Sequence, residues 1–278
     1  MPWAPLILAV APNGARKVKA DHPAIPLSAD EIGRCAAACA DAGAAMIHLH
    51  VRDRDGGHIL DGDAYRDAIA AVRREAGPGI VIQVTSEAVG RYSAAEQMAV
   101  VRDVRPEAVS LAVREILPEG ADERPAAEFL AWLHGADILP QFILYSREDL
   151  ARFDDLIARG VVPGARRFVL FVLGRYTAGQ RSRPTDMLPF LAGNGRGHEW
   201  AVCAFGAHET ACAVTAAGLG GHARVGFENN LHLPDGALAP DNAALVAAVA
   251  RGAAGIGRPL AGPDAARAIM AGRYEPRA

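Results

Sequence analysis

The sequence predicts a (β/α)8 barrel, and three observations carry that prediction. Eight short apolar runs, at residues 6–10, 45–51, 80–85, 108–112, 138–144, 168–173, 200–204 and 223–227, alternate with stretches of helical periodicity. They recur at about 35 residues per unit, the spacing a single barrel of this length requires. Helix start and stop signals fall between the runs. A doubly wound open sheet uses the same alternation and is the structural alternative. No linker, repeat or low-complexity block divides residues 1–278, so one domain is expected.

The elements follow in order. Residues 1–11 are apolar but lack a basic start, which suits a first strand and not a signal peptide. Ser28 with Glu31 forms a capping box opening the first helix, and Gly43 closes it. Ser93 with Glu96 repeats the device, and Ser146 with Asp149 is a weaker version. A helix over 241–251 is expected to end near Gly252, and a final helix spans 263–270. The Gly/Arg-rich loop 174–183 is placed to move over a ligand.

Composition removes several function classes. Apolar residues make up 51% and charged residues 22%, enough for a large core and too apolar for disorder. A formal net charge of -3 gives no electrostatic case for nucleic acid. No run of about 18 apolar residues suggests a membrane span. Lys17 and Lys19 are the sole lysines and share one polar loop, which disfavours Schiff-base chemistry. Cys35, Cys39, Cys203 and Cys212 form no C-x-x-C and read as small buried thiols, as in a reducing, cytoplasmic compartment.

A barrel enzyme works at the C-terminal ends of its strands. His48 and His50 lie there on the second strand, two apart and therefore facing the same way. Paired inward imidazoles suit a divalent metal, and a catalytic zinc usually takes three protein ligands. Glu228, which period two aligns with Arg224 and Gly226, is one candidate for the third, and His208 is another. His22, His58, His134, His198, His222 and His232 read as solvated surface residues. Gln83, Thr85 and Glu87 share one face of the third strand, Ser110 ends the fourth, and Gln141, Ile143 and Tyr145 share a face of the fifth. Arg224 and Arg114 are available for a carboxylate, since guanidinium binds it bidentately. The first loop, residues 12–23, carries Arg16, Lys17 and Lys19 and suits either solvent or a phosphate-bearing cosubstrate.

At this point the sequence resembles the β-keto acid cleavage enzymes, a family that includes the 3-keto-5-aminohexanoate cleavage enzyme. The resemblance rests on His-Leu-His-Val-Arg-Asp at 48–53, Ala-Asp-His-Pro-Ala-Ile-Pro-Leu at 20–27, Arg-Val-Gly-Phe-Glu-Asn-Asn at 224–230 and Ile-Gly-Arg-Pro-Leu-Ala at 256–261. It implies a zinc-dependent barrel, usually a homotetramer, converting a β-keto acid and acetyl-CoA into acetoacetate and a new acyl-CoA. By motif, His48, His50 and Glu228 correspond to the Zn2+ ligands, Arg224 to the active-site arginine, and Thr85 and Ser110 to hydroxyl-bearing substrate contacts.

Three departures shape the expectation. Asn229 stands where the best-known member has an aspartate, and an amide takes no proton, so within the catalytic site either Asn229 acts by orientation or another group is the base, with Glu87 the candidate. Gln141 and Ile143 replace acidic residues suited to an ammonium, and Arg16 replaces a glutamate. A neutral or hydrophobic β-keto acid is therefore expected. The competing expectations are a class II aldolase-like or amidohydrolase-like enzyme that needs no CoA, and a barrel that only binds a small acid or metal.

Overall fold

A computed structural model describes residues 3–164 and 167–275; the first two residues of the apolar N-terminal run lie outside them. Eight parallel strands close into a barrel: β1 (Leu8–Val10), β2 (Met46–Leu49), β5 (Val81–Thr85), β6 (Ala108–Ala112), β7 (Leu139–Leu144), β8 (Phe168–Leu173), β9 (Glu199–Ala204) and β10 (His222–Val225). Closure comes from β1 pairing β10 on one side and β2 on the other. Two short strands, β3 (Val51–Arg52) and β4 (His58–Ile59), form an antiparallel hairpin outside the barrel. The fold is a (β/α)8 barrel.

Period-two alternation sorts the strands between two cores. Along β8, Val169, Phe171 and Leu173 pack outward under the helices, while Phe168, Leu170 and Val172 fill the interior. Toward the C-terminal ends, polar groups replace the interior apolar ones: His48, Gln83, Thr85, Ser110, Gln141 and Arg224 are all buried. Each has apolar neighbours on its own strand facing the helices, so the register that buries the outer core also turns these groups inward.

The helices begin where their caps predict. Helix α1 (Ala29–Asp41) and α3 (Ala94–Val104) carry complete capping boxes from Ser28 and Ser93, and Ser146 caps α6 (Arg147–Ala158). Helix α2 (Gly62–Glu75) is capped by Asp61. Helices α4 (Val113–Ile116), α5 (Arg124–Gly135), α7 (Leu188–Gly193), α8 (Glu209–Gly218), α9 (Asn242–Gly255) and α10 (Pro263–Met270) complete the ring.

Three expectations need correction. Helix α9 (Asn242–Gly255) runs past Gly252. There a Cβ would lie 2.3 Å from Val214, so the glycine permits close packing on α8 and does not stop the helix. The second strand ends at Leu49, with Val51 already in the hairpin, and the last ends at Val225, where Gly226 turns the chain at φ +136°. His22, His58, His198 and His222 are buried, not solvated, because each ring is accommodated by a partner. His222 accepts the Ile7 N–H at 2.9 Å, and His198 Nε2 lies 2.8 Å from Asp154. His134 and His232 are exposed as expected.

Two family motifs turn out to brace the frame. Arg258 sits at the N-terminal end of the barrel and donates to the carbonyls of Ala4, Ala217, Gly220 and Gly221. Arg52 reaches the carbonyls of Asn13, Gly14, Lys17 and Gly56, stapling the first loop to the hairpin.

Candidate metal centre and active site

Strand β2 delivers His48, and the break after Leu49 delivers His50. Asn13 fixes that break: its Nδ2 donates to the His50 carbonyl at 2.9 Å, and its Oδ1 accepts the His50 N–H at 3.4 Å. The rings meet edge to face, with Nε2 atoms 3.1 Å apart. His48 Nδ1 lies 2.8 Å from Gln83 Oε1. An amide oxygen only accepts, so Nδ1 carries the proton and Nε2 presents its lone pair to the site. Gln83 is held in turn by its Nε2 donating to Gln141 Oε1 at 3.3 Å.

Glu228 arrives from the turn after β10. Its oxygens lie 3.8 Å from His48 Nε2 and 3.7 Å from His50 Nε2. That turn is held at nearly every polar atom. Glu209 accepts from Gly226 N–H at 3.0 Å and from Asn229 Nδ2 at 3.1 Å, Asn242 accepts from Phe227 N–H, and Ala11 accepts from Glu228 N–H. Lys17, from the first loop, donates to the Glu228 carbonyl at 2.6 Å. His22 packs against Phe227 with the rings tilted at 50° and centroids 4.5 Å apart, so the 20–27 motif packs against the turn. Gly14 is forced by proximity, since a Cβ there would lie 2.6 Å from Glu228 Cγ.

The electrostatics favour metal ligation. Burial, reinforced by Arg224, pushes His48 down to about 3, and burial holds His50 well below its usual value. Both imidazoles are therefore neutral at neutral pH, the state a metal requires. Burial acts to raise Glu228, but the cationic Arg224, Arg175 and Lys17 together hold it below the usual carboxylate range. His48, His50 and Glu228 offer three ligand atoms within 4.8 Å of one another. Donors on a tetrahedral zinc sit about 3.3 Å apart, given bonds of about 2.0–2.1 Å. Small rotations would bring the set to that spacing. Glu228 Oε2, His50 Nδ1, Arg224 Nε and Nη1, and Ser110 Oγ are buried without a hydrogen-bond partner. Unpaired buried groups are costly, and the residues that carry these line one pocket. The residues fit a divalent cation with an anionic ligand beside it.

Arg224 stands next to the triad, its Nη2 3.7 Å from Glu228 Oε2. Glu87 lies on the opposite side, with Oε2 3.9 Å from His50 Nδ1 and Oε1 3.3 Å from Arg175 Nη2. Burial and the Glu228 charge push its carboxyl up to about 7. Thr85, Ser110, Ile143 and Tyr145 line the same pocket.

Other sequence-derived candidates lie elsewhere. His208 caps α8, exposed, with Nδ1 3.0 Å from the Ser182 carbonyl, outside the triad. Arg114 stacks on the rings of Tyr145 and Tyr176 at 3.8 and 4.8 Å. Gln141 supports Gln83 and does not line the pocket. The Asn229 side chain is occupied by Glu209, by the Arg224 carbonyl and by the Cys203 thiol, which donates to Oδ1 at 3.1 Å.

Four contributors escaped the sequence reading. Arg175, Glu115 and Phe205 line the pocket, and Glu209 is wholly buried behind the ligand turn. None lies in a recognisable motif, although Arg175 falls in the loop expected over a ligand, and their roles depend on loops and helix starts that meet only in the folded chain. Lys17 looked like a loop lysine but reaches the ligand turn, where burial lowers its ammonium pKa.

Comparison with known proteins agrees with this geometry. The family model for beta-keto acid cleavage enzyme matches residues 5–271. A 3-keto-5-aminohexanoate cleavage enzyme from Fusobacterium nucleatum is 31% identical over 271 residues, covering 95% of this chain and 97% of that protein. A 3-oxoadipate:acetyl-CoA acetyltransferase from Cupriavidus necator is 31% identical over 278 residues, with 96% and 94% covered. A 3,5-dioxohexanoate:acetyl-CoA acetone transferase from Paraburkholderia graminis is 25% identical, with 95% of each chain covered. Among solved structures, the apo form of ObcA superposes with a TM-score of 0.70 at 16% identity, over 90% of this chain and 66% of that one. That likeness speaks for the barrel alone. The sequence match and the triad at the barrel mouth lead to one conclusion: this chain belongs to the β-keto acid cleavage enzyme family.

Proposed function

We propose that the protein exchanges acyl groups between a neutral, apolar β-keto acid and acetyl-CoA at a zinc centre held by His48, His50 and Glu228, releasing acetoacetate and a new acyl-CoA. The observation that carries this reading is the convergence of two neutral imidazoles, one carboxylate and Arg224 at the barrel mouth. Two nitrogens and a carboxylate suit zinc among the common divalent ions. The family and the two relatives named for acetyl-CoA supply the reaction class.

When bound, the metal supplies Lewis acidity that makes the protons between ketone and carboxylate removable. Arg224, with Nε and Nη1 unpaired, takes the substrate carboxylate and fixes its orientation. Glu87 accepts the α-proton, and Arg175 steers it from 3.3 Å. The resulting carbanion attacks the acetyl-CoA carbonyl, with the free Ser110 hydroxyl donating to the developing oxyanion. CoA thiolate leaves, then attacks the original ketone. Cleavage of the former C2–C3 bond yields the new acyl-CoA and an acetoacetate carbanion, which takes the proton back from Glu87. Thr85 holds the Glu87 backbone N–H at 3.0 Å and so positions the base.

The substrate tail lies against Ala112, Ile143, Val172 and Phe205. Arg175 is engaged by Glu87, and Glu115 accepts the Ala88 N–H through one oxygen. A second carboxylate on the tail would meet Glu115 and no free cation there, and the four apolar side chains favour a neutral tail. The proposal extends to a homotetramer and to a cytoplasmic setting, in keeping with four free cysteines.

Metal-analysed protein assayed with a panel of β-keto acids and acetyl-CoA tests the reading. Acetoacetate and new acyl-CoA, followed by mass spectrometry, are expected in equal amounts with apolar substrates and one equivalent of zinc. His48→Ala should lose both metal and turnover. Retained turnover in the metal-free variant, or cleavage that needs no CoA, would refute it.

A further inference from the structure

We infer that Glu209 is a positioning residue that sets the metal-ligand turn, and that Asn229 is part of this clamp and takes no part in proton transfer. This rests on the proposed metal reading of His48, His50 and Glu228.

Glu209 opens α8, a helix none of whose residues lines the pocket. Its carboxyl is 1% exposed and faces no lysine or arginine at salt-bridge distance among the described residues. Every hydrogen bond it receives comes from the turn that carries Glu228: Gly226 N–H at 3.0 Å, Asn229 Nδ2 at 3.1 Å and Asn230 Nδ2 at 3.4 Å. A buried carboxyl is expensive unless its hydrogen bonds are specific. These three bracket the ligand on both sides. The turn also depends on Gly226, where a Cβ would lie 2.4 Å from the Ala11 carbonyl, so its path permits little relaxation. Groups behind a metal ligand fix its aim, and their loss typically weakens metal binding 10- to 100-fold.

Asn229 belongs to the same device. Its Nδ2 donates to Glu209 Oε1 and to the Arg224 carbonyl, and its Oδ1 accepts the Cys203 thiol proton. Both ends of the amide are therefore used away from the pocket. An aspartate at 229 would remove the N–H donor that serves Glu209 Oε1 and would set a carboxylate oxygen against the Arg224 carbonyl. The amide is what this arrangement requires.

Zinc affinity, measured by competition with a chromophoric chelator, separates the clamp from a general structural role. Melting of the metal-free protein is followed in parallel. Glu209→Ala should bind zinc about 10- to 100-fold more weakly in the folded protein. Glu209→Gln keeps one oxygen on Gly226 and Asn229, and should restore affinity to within a few-fold. Asn229→Asp is nearly isosteric and keeps the inference testable if Glu209→Ala does not fold; it should weaken zinc binding and lower turnover. The inference is overturned if Glu209→Ala only lowers the melting temperature with affinity unchanged. It is equally overturned if Asn229→Asp binds zinc normally or turns over faster, the sign of a restored base. Wild-type protein that binds no zinc would instead refute the metal reading, and the clamp would fall with it.

Discussion

Gly14→Ala probes how tightly the ligand turn is built. Gly14 sits in the first βα loop at φ +59°, and the added methyl would lie 2.6 Å from Glu228 Cγ, 3.0 Å from its Cβ and 3.3 Å from its Cα. Alanine in the left-handed region costs about 1–2 kcal/mol. Crowding a packed site costs a further 1–3 kcal/mol or so. The turn has little freedom to retreat, because Glu209, Asn242, Ala11 and Lys17 hold its backbone and flanks. The Glu228 side chain must therefore yield by about 1 Å to reach ordinary contact, whereas metal–ligand distances tolerate only about 0.2 Å. Gly120→Ala isolates the backbone contribution: its φ is +78° and nothing lies within 4 Å of the added methyl. Denaturant unfolding of both metal-free variants, together with zinc titration and turnover, makes the comparison. Gly120→Ala should lose about 1–2 kcal/mol and keep wild-type metal affinity. Gly14→Ala should lose more stability, and most of its zinc and activity. Wild-type zinc affinity in Gly14→Ala would refute the claim that this glycine makes room for the ligand.

Gln83→Leu removes the acceptor that fixes the His48 tautomer and should weaken zinc binding 10- to 100-fold by chelator competition, with unchanged affinity counting against that role. Ile143→Glu places a carboxylate in the tail pocket and should cut kcat/KM for apolar β-keto acids at least about tenfold, while favouring amine-bearing ones; an unaltered substrate ranking would remove Ile143 from specificity. Glu31 is nudged up by its partial burial, but Lys19 and the N–H groups of Leu27 and Ser28 outweigh this and hold it down at about 2. Its folded value lies below its unfolded one, so its stabilisation is present above about pH 4.5 and is lost as pH falls toward 2. Glu31→Gln should therefore cost about 1 kcal/mol at pH 7 and little near pH 2, and an equal loss at both would contradict the assignment.

Much of the site was legible because it obeys local periodicity. His48, Gln83, Thr85, Ser110 and Arg224 sit on strands, where the two-residue repeat that buries apolar partners outward turns them inward. Glu228 and His50 were found for a partly mistaken reason. Both were read as strand residues, yet the strands end at Leu49 and Val225; Asn13 donates to the His50 carbonyl, and Glu209 accepts from the turn that carries Glu228. Gly252 misled because a glycine reads as a stop from the sequence, and only the approach of α8 shows that it is a contact. His22, His58, His198 and His222 misled for the same reason: a histidine's burial is decided by partners distant in sequence.

By itself the sequence determined the barrel, the caps at Ser28, Ser93 and Ser146, the His48–His50 pair and the family, because alternation, capping and short motifs are properties of neighbouring residues; the choice of Glu228 over His208 came from the resemblance and is matched by the fold. Tertiary structure alone decided that Arg175 pairs with Glu87, that Lys17 reaches the ligand turn, and that Asn229 faces Glu209 and Cys203. These contacts join residues from 26 to 211 positions apart, except for the 20 separating Asn229 from Glu209. Closing the β-sheet brings such loops together at one rim, and no local pattern encodes which of them meet.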